Sequence, residues 1–317
     1  MELPGVFQLP PATITGVPGG TSRNGQWLVV ESYESSPNSV PTATHMLLIN
    51  TAASRITDRV NLGGYFHFDA VSDDGQRLYL IQYLNGKEYY VRLYNIIGNT
   101  LDENIVVDKS DGNQAMTGLR LSGVASPDGH MLYSMYVREN DNPFIHALSL
   151  DGPYAFCLDL PGSGYSSGKA DMQWSLAMSS NGTRLYAING ATGIVAEVDT
   201  SNQFSPQIVR TAKIATGSSA SIGASALTAV ISPDGKTLVT AGSSGIVWVD
   251  TASLKVRMQA LSDWHVWSLG SSPDGSVLYA VSDKGSIAEV SMASGAVANR
   301  FDGAQGQPMA LMRVAAS

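Results

Sequence analysis

The sequence has little cysteine, little charge and no long hydrophobic run. Cys157 is the only cysteine in 317 residues, so disulfides within the chain cannot stabilise the fold. No apolar run reaches the roughly 20 residues that a membrane-spanning helix needs. Only 15% of residues are charged, the net charge is −8, and no cluster of Lys and Arg interrupts the acidic balance. Because nucleic acid is bound through a basic surface, we expect no nucleic-acid partner. Because no apolar run is long enough, we expect no membrane span.

The chain also lacks the spacing patterns of common metal and catalytic sites. Its five histidines show no His-x-x-x-His pair. Asp108–Asn113 is similar to a calcium loop, but its glycine comes one position early and no Glu stands at the twelfth position. Gly164–Gly168 matches Gly-x-Ser-x-Gly inside a Gly/Ser-rich stretch rather than at a strand-to-helix turn. We therefore predict no cofactor and no metal, with a calcium ion in a central channel as the alternative.

What the chain does contain is a six-fold repeat of Ser, any residue, Asp or Asn, and Gly. Successive copies begin 40 to 54 residues apart, and three of them read Ser-Pro-Asp-Gly. Proline and glycine at these positions fit a type I turn. The copies are Ser22–Gly25, Ser72–Gly75, Ser126–Gly129, Ser179–Gly182, Ser232–Gly235 and Ser272–Gly275.

Short β-prone segments separated by glycine-rich turns fill each interval between these copies. After Ser232–Gly235 they are Lys236–Ala241, Gly245–Asp250, Lys255–Leu261 and Trp264–Leu269. No stretch keeps a helical period of 3.6, so helix should be scarce. Four strands repeated at this spacing are typical of a β-propeller blade. We predict an all-β fold, a single propeller with one four-stranded blade in each interval.

The two ends of the chain are predicted to close the ring. The run 308–315 stands where a fourth strand belongs and is expected to pair with the first blade, which removes free sheet edges. Six blades is the preferred count. Seven is the alternative, with residues 6–20 supplying further strands. Residues 1–21 are then an N-terminal extension or linker, and residues 22–317 the propeller.

The turn followed by a short strand, together with Val-Asp-Thr-Ala-Ser-Leu-Lys-Val at 249–256, resembles the YVTN/quinoprotein-type WD40-like repeats of mostly secreted prokaryotic proteins. The chain departs from true WD40 repeats, since no repeat ends in Trp-Asp. The resemblance implies a propeller that is secreted, periplasmic or on the cell surface. The first residues show no signal-peptide pattern, so this expectation rests on the resemblance alone.

Loop lengths indicate which face of such a propeller carries function. The Ser-x-Asp-Gly face has tight turns, whereas the opposite face has the long connections, and long loops on a rigid scaffold commonly bind ligands. The long connections are Glu31–Thr44, Lys109–Leu119, Arg138–Pro143, Gly162–Met172 and Thr216–Ser225.

Residues that begin the innermost strands should ring the channel mouth on that face. They mix aromatic and polar side chains, as small-molecule and glycan sites do. The predicted ligand-binding residues are Tyr65, Phe66, His67, Arg120, Gln173, Trp174, Trp264, His265 and Trp267. The candidates for catalysis are His67, Asp69, Arg120 and His265. Packing between blades is the alternative role for each aromatic side chain.

The preferred function is a non-enzymatic interaction module that presents the long-loop face to a protein, peptide or glycan, because no catalytic motif is found. One alternative is an enzyme of the lactonase, hydrolase or lyase type with its site at the channel mouth. The other is a structural domain of a larger surface protein.

Overall fold

A computed structural model describes residues 2–106, 112, 114–216, 227–242 and 244–302. It contains 24 β-strands in six antiparallel sheets, and the only helices in these ranges are two short 3-10 turns at Tyr165–Ser167 and Lys169–Met172. The all-β prediction is confirmed, and six sheets fit the six predicted blades. The run 308–315, and with it the predicted ring closure, lies outside the described residues.

The first two sheets come from the N-terminal part of the chain. The first contains β1 (Trp27–Glu34), β2 (Ala43–Asn50) and β3 (Arg55–Gly63). The second contains β4 (Phe66–Val71), β5 (Arg77–Tyr83), β6 (Glu88–Asn95) and β7 (Thr100–Val106), with the short β8 (Met116–Thr117) paired to β6.

Each of the other four sheets has four strands in sequential order. The third consists of β9 (Leu119–Ala125), β10 (Met131–Val137), β11 (Phe144–Ser149) and β12 (Ala155–Asp159). The fourth consists of β13 (Trp174–Met178), β14 (Arg184–Asn189), β15 (Ile194–Asp199) and β16 (Gln207–Lys213). The fifth consists of β17 (Ala229–Ile231), β18 (Thr237–Gly242), β19 (Gly245–Asp250) and β20 (Lys255–Ala260). The sixth consists of β21 (Val266–Ser271), β22 (Val277–Ser282), β23 (Ile287–Ser291) and β24 (Val297–Phe301).

The sheets begin one strand earlier than the sequence repeat suggests. The Ser-x-Asp-Gly turn joins the first and second strands of a sheet, as Ser72–Gly75 joins β4 to β5. The strand that ends each sequence interval therefore belongs to the next sheet, because a tight turn pairs the two strands that it connects. The interval from Ser232, for example, ends in β21, which is the first strand of the sixth sheet.

Residues ahead of the first turn pair with β1. Gln8 and Glu31 exchange both backbone hydrogen bonds, at 2.9 and 3.0 Å, and the Val29 N–H donates to the Gly20 carbonyl at 2.7 Å. The N-terminal segment thus pairs with part of β1, along the edge of the first sheet that lies away from β2. Whether residues 1–21 count as an extension stays a prediction.

The chain divides into two compact units. The first is made of Met1–Gly118, Asp128–Tyr133 and His146–Cys157, and the second of Leu119–Pro127, Ser134–Ile145 and Leu158–Ser317. In the first unit, apolar side chains of the first sheet such as Met46 and Leu48 pack with Phe66 and Leu80 of the second, all nearly without exposure. Burial of apolar area of this kind supplies most of the favourable folding free energy.

In the second unit, hydrogen bonds join neighbouring sheets as well. The buried indole N–H of Trp248 in β19 donates to the Met292 carbonyl at 2.8 Å. Arg210 of β16 pairs with Glu197 and donates to the carbonyls of Thr251 and Ala252, both at 2.6 Å. These contacts satisfy polar groups at the boundary between sheets, where an unpaired group would be costly.

The repeated turn is held by one small hydrogen-bond pattern. In Ser232–Gly235, the serine hydroxyl donates to the Asp234 carboxylate at 2.6 Å and accepts from the Thr237 N–H at 3.0 Å. The same carboxylate accepts from the Lys236 N–H at 3.1 Å. In the turns at Ser22 and Ser179 the partner is the side-chain oxygen of Asn24 or Asn181. The pattern needs a side-chain acceptor at this position but not a charge.

We expect the aspartate turns to lose stability in acid. The Ser272 hydroxyl, with the N–H and hydroxyl of Ser276, lowers the pKa of Asp274 to about 2 from an ordinary value of 3.8, and the Ser232 hydroxyl lowers the pKa of Asp234. A lowered pKa stabilises the fold above pH 3.8, and that contribution disappears as the pH falls toward 2. The urea midpoint should therefore drop between pH 5.5 and 2.5.

The variant Asp274→Asn tests the contribution of this carboxylate, since asparagine occupies the same place in two natural turns. It should be less stable than the wild type at pH 5.5 and should lose less of its urea midpoint on going to pH 2.5. An equal loss in both proteins would contradict a role for Asp274.

The glycine of the turn is required both by its backbone conformation and by a close contact, as Gly75 shows. Its φ of +72° favours glycine, and a Cβ added there would overlap the indole ring of Trp27, whose N–H donates to the Asp73 carbonyl at 3.2 Å. Gly25 has the same φ but no atom within 4 Å of an added Cβ.

Gly75→Ala and Gly25→Ala therefore form a matched pair for urea denaturation. Both substitutions should lower the free energy of unfolding by about 1–2 kcal/mol, because alanine is disfavoured in a left-handed backbone conformation. Gly75→Ala should cost a further 1–3 kcal/mol or so for overpacking against Trp27. Equal losses of unfolding free energy would show that the contact with Trp27 is unimportant.

Candidate functional site

Several strand ends meet at one end of the sheets in the first unit. β1 ends at Glu34, β4 begins at Phe66 directly after β3, and β5 ends at Tyr83. Because neighbouring strands are antiparallel, these ends lie on the same side, together with the β1–β2 loop of residues 35–42. This is the side on which the long connection Glu31–Thr44 was expected.

Four aromatic rings gather there, from Tyr33, Tyr65, His67 and Tyr83, and we call them the tyrosine–histidine cluster. His67 lies among the three tyrosines, with ring centroids 4.8 Å from Tyr65, 5.3 Å from Tyr33 and 5.4 Å from Tyr83. Tyr65 stacks on Tyr83 at 4.9 Å. Stacked and edge-to-face contacts at these distances are favourable, so each ring helps to hold its neighbours in place.

A buried carboxylate supports the cluster. Glu31 of β1 is 0% exposed, and its Oε2 accepts from the Phe68 N–H at 3.2 Å. Its Oε1 lies 3.2 Å from His67 Nδ1. The partners of a fully buried charge have to satisfy it, because removing a carboxylate from water is costly. Glu31 and His67 therefore fix each other across β1 and β4.

Both ring nitrogens of His67 are engaged. Nδ1 lies 2.8 Å from the Tyr33 hydroxyl as well as near Glu31, and Nε2 lies 2.6 Å from the Tyr65 hydroxyl. A general base needs a free nitrogen directed at the substrate. The arrangement therefore suits recognition by a fixed surface better than proton transfer at His67.

The hydroxyls of the cluster are held in their neutral form. Burial raises the pKa of Tyr83 to about 12, with further contributions from Tyr65, Asp69 and Glu31. Burial and then the Glu31 carboxylate raise the pKa of Tyr65, and they raise the pKa of Tyr33 still further. At neutral pH the cluster presents neutral hydroxyl groups next to the Glu31 carboxylate.

Asp69, the second predicted catalytic residue, has a different setting. It is 4% exposed and is the extra residue of a β-bulge in β4, where Phe68 pairs with Leu80 and Ala70 with Tyr79. Bulges often redirect a side chain near a functional site. Its catalytic role stays a prediction.

A second polar group forms in the second unit around His265. Its Nδ1 lies 2.8 Å from Asp283 Oδ2, and the Asp283 N–H donates to the His265 carbonyl at 2.9 Å. The neighbouring Trp264 packs partly on the core of this unit and lies beneath the Arg300 guanidinium, 5.3 Å from the ring centroid. These residues line a cavity of about 330 Å³.

Other predicted ligand-binding residues lie in less open places. Phe66 and Trp174 are each 2% exposed, and Phe66 belongs to the hydrophobic core of the first unit, which agrees with the packing alternative. Gln173 is 1% exposed, and Arg120 lies in β9 with its guanidinium over Gly123. Trp267 is the extra residue of a bulge in β21. Whether any of them binds a ligand stays a prediction.

His67 and His265 belong to different compact units, and each has its own partners there. An acid/base pair between them across a channel mouth therefore stays a prediction. The connection Thr216–Ser225 and the calcium-like loop at 108–113 lie largely outside the described residues, as do residues 109–111 and 113 of the connection Lys109–Leu119.

The sequence reading missed Glu31, Tyr33, Tyr83 and Asp283. A signal for two of them was present, since Tyr83 and Asp283 each stand eleven positions after the serine of their turn. Tyr65 and His265 each stand seven positions before it. Extending the alignment across the turn pairs Tyr65 with Tyr83 and His265 with Asp283, as the structure does.

Two further findings concern the described part of the chain. No group of three or more His, Cys, Asp and Glu residues there is arranged to hold a metal ion. No helix there is long and apolar enough to cross a membrane.

Comparison with known proteins supports the fold. The chain is similar to the crystal structure of the β-propeller domain of Cps50 (Swd1) from Myceliophteria thermophila, with a TM-score of 0.53 and 12% sequence identity, over 95% of this chain and 88% of that chain. No family model and no curated protein matches. The similarity confirms the β-propeller fold, whereas membership of the YVTN-type family stays a prediction.

We expect the Glu31 carboxylate to act directly on the tyrosines of the cluster. In Glu31→Gln, the pKa values of Tyr65 and Tyr83 should fall, because a negative charge that disfavours tyrosinate has been removed. Part of each elevation should remain, since burial is its largest cause. Nuclear magnetic resonance of ring-labelled tyrosine, with Tyr65→Phe and Tyr83→Phe for assignment, measures both values.

Glu34→Gln is the control on the same strand, because Glu34 is 67% exposed and pairs with His45 instead. It should leave both tyrosine pKa values unchanged. An unchanged Tyr65 in Glu31→Gln would show that the carboxylate is screened from the cluster.

Proposed function

We propose that the protein is a non-enzymatic binding propeller and that the tyrosine–histidine cluster is the centre of its binding surface. The observation behind this proposal is that both ring nitrogens of His67 are engaged within the protein, by Tyr33, Tyr65 and Glu31. A site organised in this way is rigid before the ligand arrives. Pre-organisation reduces the entropic cost of binding without providing a reactive group.

The composition of the surface favours a protein or peptide ligand over a glycan. Tyrosine provides a large contact area with few rotatable bonds and is enriched at the centres of protein interfaces. Exposed apolar side chains stand on the adjoining loops, Val40 at 69% between β1 and β2 and Leu84 at 45% after β5. They extend the apolar contact area beyond the rings.

The charge of the surface favours a basic ligand. Glu31 lies beneath the rings and contributes to the raised pKa of Tyr33, Tyr65 and Tyr83, which indicates a negative local potential. The chain carries a net charge of −8. A Lys or Arg side chain placed against tyrosine faces above a carboxylate gains both cation–π and Coulomb energy.

The hydrolase alternative is favoured by one observation, the orientation of His265. Its Nδ1 is held by Asp283, as the imidazole of a general base is held. Among the described residues, however, no hydroxyl or other polar group lies within hydrogen-bond distance of its Nε2. A nucleophile next to the base is therefore missing from this part of the chain, and we place the hydrolase second.

Selection from a random dodecapeptide library displayed on phage tests the binding proposal. Peptides enriched on the wild-type protein should contain Lys or Arg and should bind Tyr65→Ser about 30-fold more weakly, which corresponds to about 2 kcal/mol for the loss of a central aromatic residue. Fluorescence anisotropy with the synthetic peptides measures the dissociation constants.

Tyr90→Ser is the matched control, since Tyr90 lies in the same unit on β6 but outside the cluster. It should bind the same peptides as the wild type does. The proposal would be overturned if no peptide were enriched, or if the enriched peptides bound Tyr65→Ser as tightly as the wild type.

A further inference from the structure

The cavity of the second unit differs from the tyrosine–histidine cluster in having polar groups that no described residue satisfies. It encloses about 330 Å³ between the entrance to β21, the β22–β23 turn and the end of β24. This volume lies at the lower end of the range of small-molecule sites. The ligand it suits is therefore a small molecule rather than a polypeptide.

The walls of the cavity are fixed by backbone hydrogen bonds. The Ser282 hydroxyl accepts from the N–H groups of Lys284 and Ser286, at 3.3 and 3.0 Å, and the Ser282 N–H donates to the Ser286 carbonyl at 2.9 Å. The loop into β21 passes through buried Leu261 at a φ of +53°, two positions before the lining residue Asp263. Strained conformations of this kind persist where the surroundings hold them, and they cluster at ligand sites.

His265 lines the cavity, where Asp283 holds its ring. When its Nδ1–H donates to Asp283, Nε2 carries a lone pair, and this atom is buried with no hydrogen-bond partner among the described residues. A buried polar atom without a partner costs free energy. Because this atom has almost no exposed surface, the polar groups open to a ligand are the neighbouring charged side chains of Asp283, Lys284 and Arg300.

Two cations lie beside His265. Lys284 forms no ion pair with any described residue, and Arg300, placed over Trp264, has its nearest carboxylate oxygen 3.7 Å away on Asp263. Guanidinium and ammonium groups with donors to spare bind carboxylates and other oxyanions. The cavity therefore also has a place for one negative charge.

The acidic side chains decide between possible anions. Asp263, Asp283 and Asp302 line the same cavity. They would repel a doubly charged phosphate more than a singly charged carboxylate, and their oxygens accept hydrogen bonds from hydroxyl groups. A ligand with one carboxylate and several hydroxyls satisfies both sets of groups.

We propose that this cavity binds a small hydroxylated carboxylate, such as a sugar acid, with its carboxylate on Lys284 and Arg300 and its hydroxyls on the carboxylates of Asp263 and Asp283. The site is independent of the peptide surface in the first unit. Either proposal can fail without the other.

Binding of four probes (D-glucuronate, D-glucose, acetate and phosphate) tests the two halves of the proposal, with the Trp264 indole N–H followed by nuclear magnetic resonance. Sodium D-glucuronate should bind at least tenfold more tightly than D-glucose, which lacks the carboxylate, and than acetate, which lacks the hydroxyls. A charge-assisted hydrogen bond contributes enough for a tenfold change. Equal affinity for acetate and glucuronate, tighter binding of phosphate, or no shift with glucuronate would overturn the proposal.

Variants then assign the roles. Lys284→Gln and Asp283→Asn should each weaken glucuronate binding about tenfold or more, whereas Lys255→Gln, which changes an exposed lysine on β20, should not. Circular dichroism melting checks that each variant is folded. Tyr65→Ser should bind glucuronate normally, which separates this site from the peptide surface. Normal glucuronate binding by folded Lys284→Gln would contradict the assignment of the carboxylate.

Discussion

The Ser-x-Asp/Asn-Gly turn is the constraint on which the rest of the structure depends. Its serine hydroxyl closes the turn by bonding both to the side chain two positions on and to the backbone five positions on. Its glycine adopts a left-handed conformation, and a Cβ there would meet the preceding turn at Gly182, next to Pro127, and at Gly275, next to Pro233. In these two repeats the tetrapeptide therefore sets both a local hairpin and the packing against the preceding turn, whereas at Gly25 and Gly235 no atom lies within 4 Å of an added Cβ.

Because the turn fixes the register of the strands that it joins, it also fixes which side chains meet at their far ends. In the first unit the positions seven before and eleven after the turn serine hold Tyr65 and Tyr83, and in the second they hold His265 and Asp283. Equivalent backbone hydrogen bonds, 3.0 and 2.9 Å long, join each pair. The scaffold thus presents a stacked aromatic pair in one place and an imidazole–carboxylate pair in another.

Features that depend on neighbouring residues were predictable from the sequence, whereas features that depend on distant ones were not. Strand positions followed from alternation and turn chemistry: the predicted segments Lys236–Ala241 and Gly245–Asp250 correspond to the strands Thr237–Gly242 and Gly245–Asp250. The division into sheets was displaced by one strand, since the repeat is read from turn to turn but hydrogen bonding pairs across the turn. The sequence left both ligand binding and packing open for Phe66, because an aromatic side chain at a strand start gives no sign of which way it faces, and the structure places it in a hydrophobic core. Glu31 was missed because nothing local marks a glutamate in an apolar strand as the partner of a histidine 36 positions away.

The contrast between the two sites explains why their proposed ligands differ. In the tyrosine–histidine cluster every polar group of His67 has a partner within the protein, so a ligand can add contact area and respond to the buried charge but displaces no hydrogen bond. Beside His265, the exposed ammonium of Lys284 and the guanidinium of Arg300 line a cavity that a small anion can enter, and Lys284 has no ion-pair partner among the described residues. An aromatic surface whose polar groups are already hydrogen-bonded is suited to a large partner that contributes its own buried area. A cavity with polar groups left to pair derives its specificity from a few hydrogen bonds, since a ligand that fails to make them leaves the desolvation cost in place.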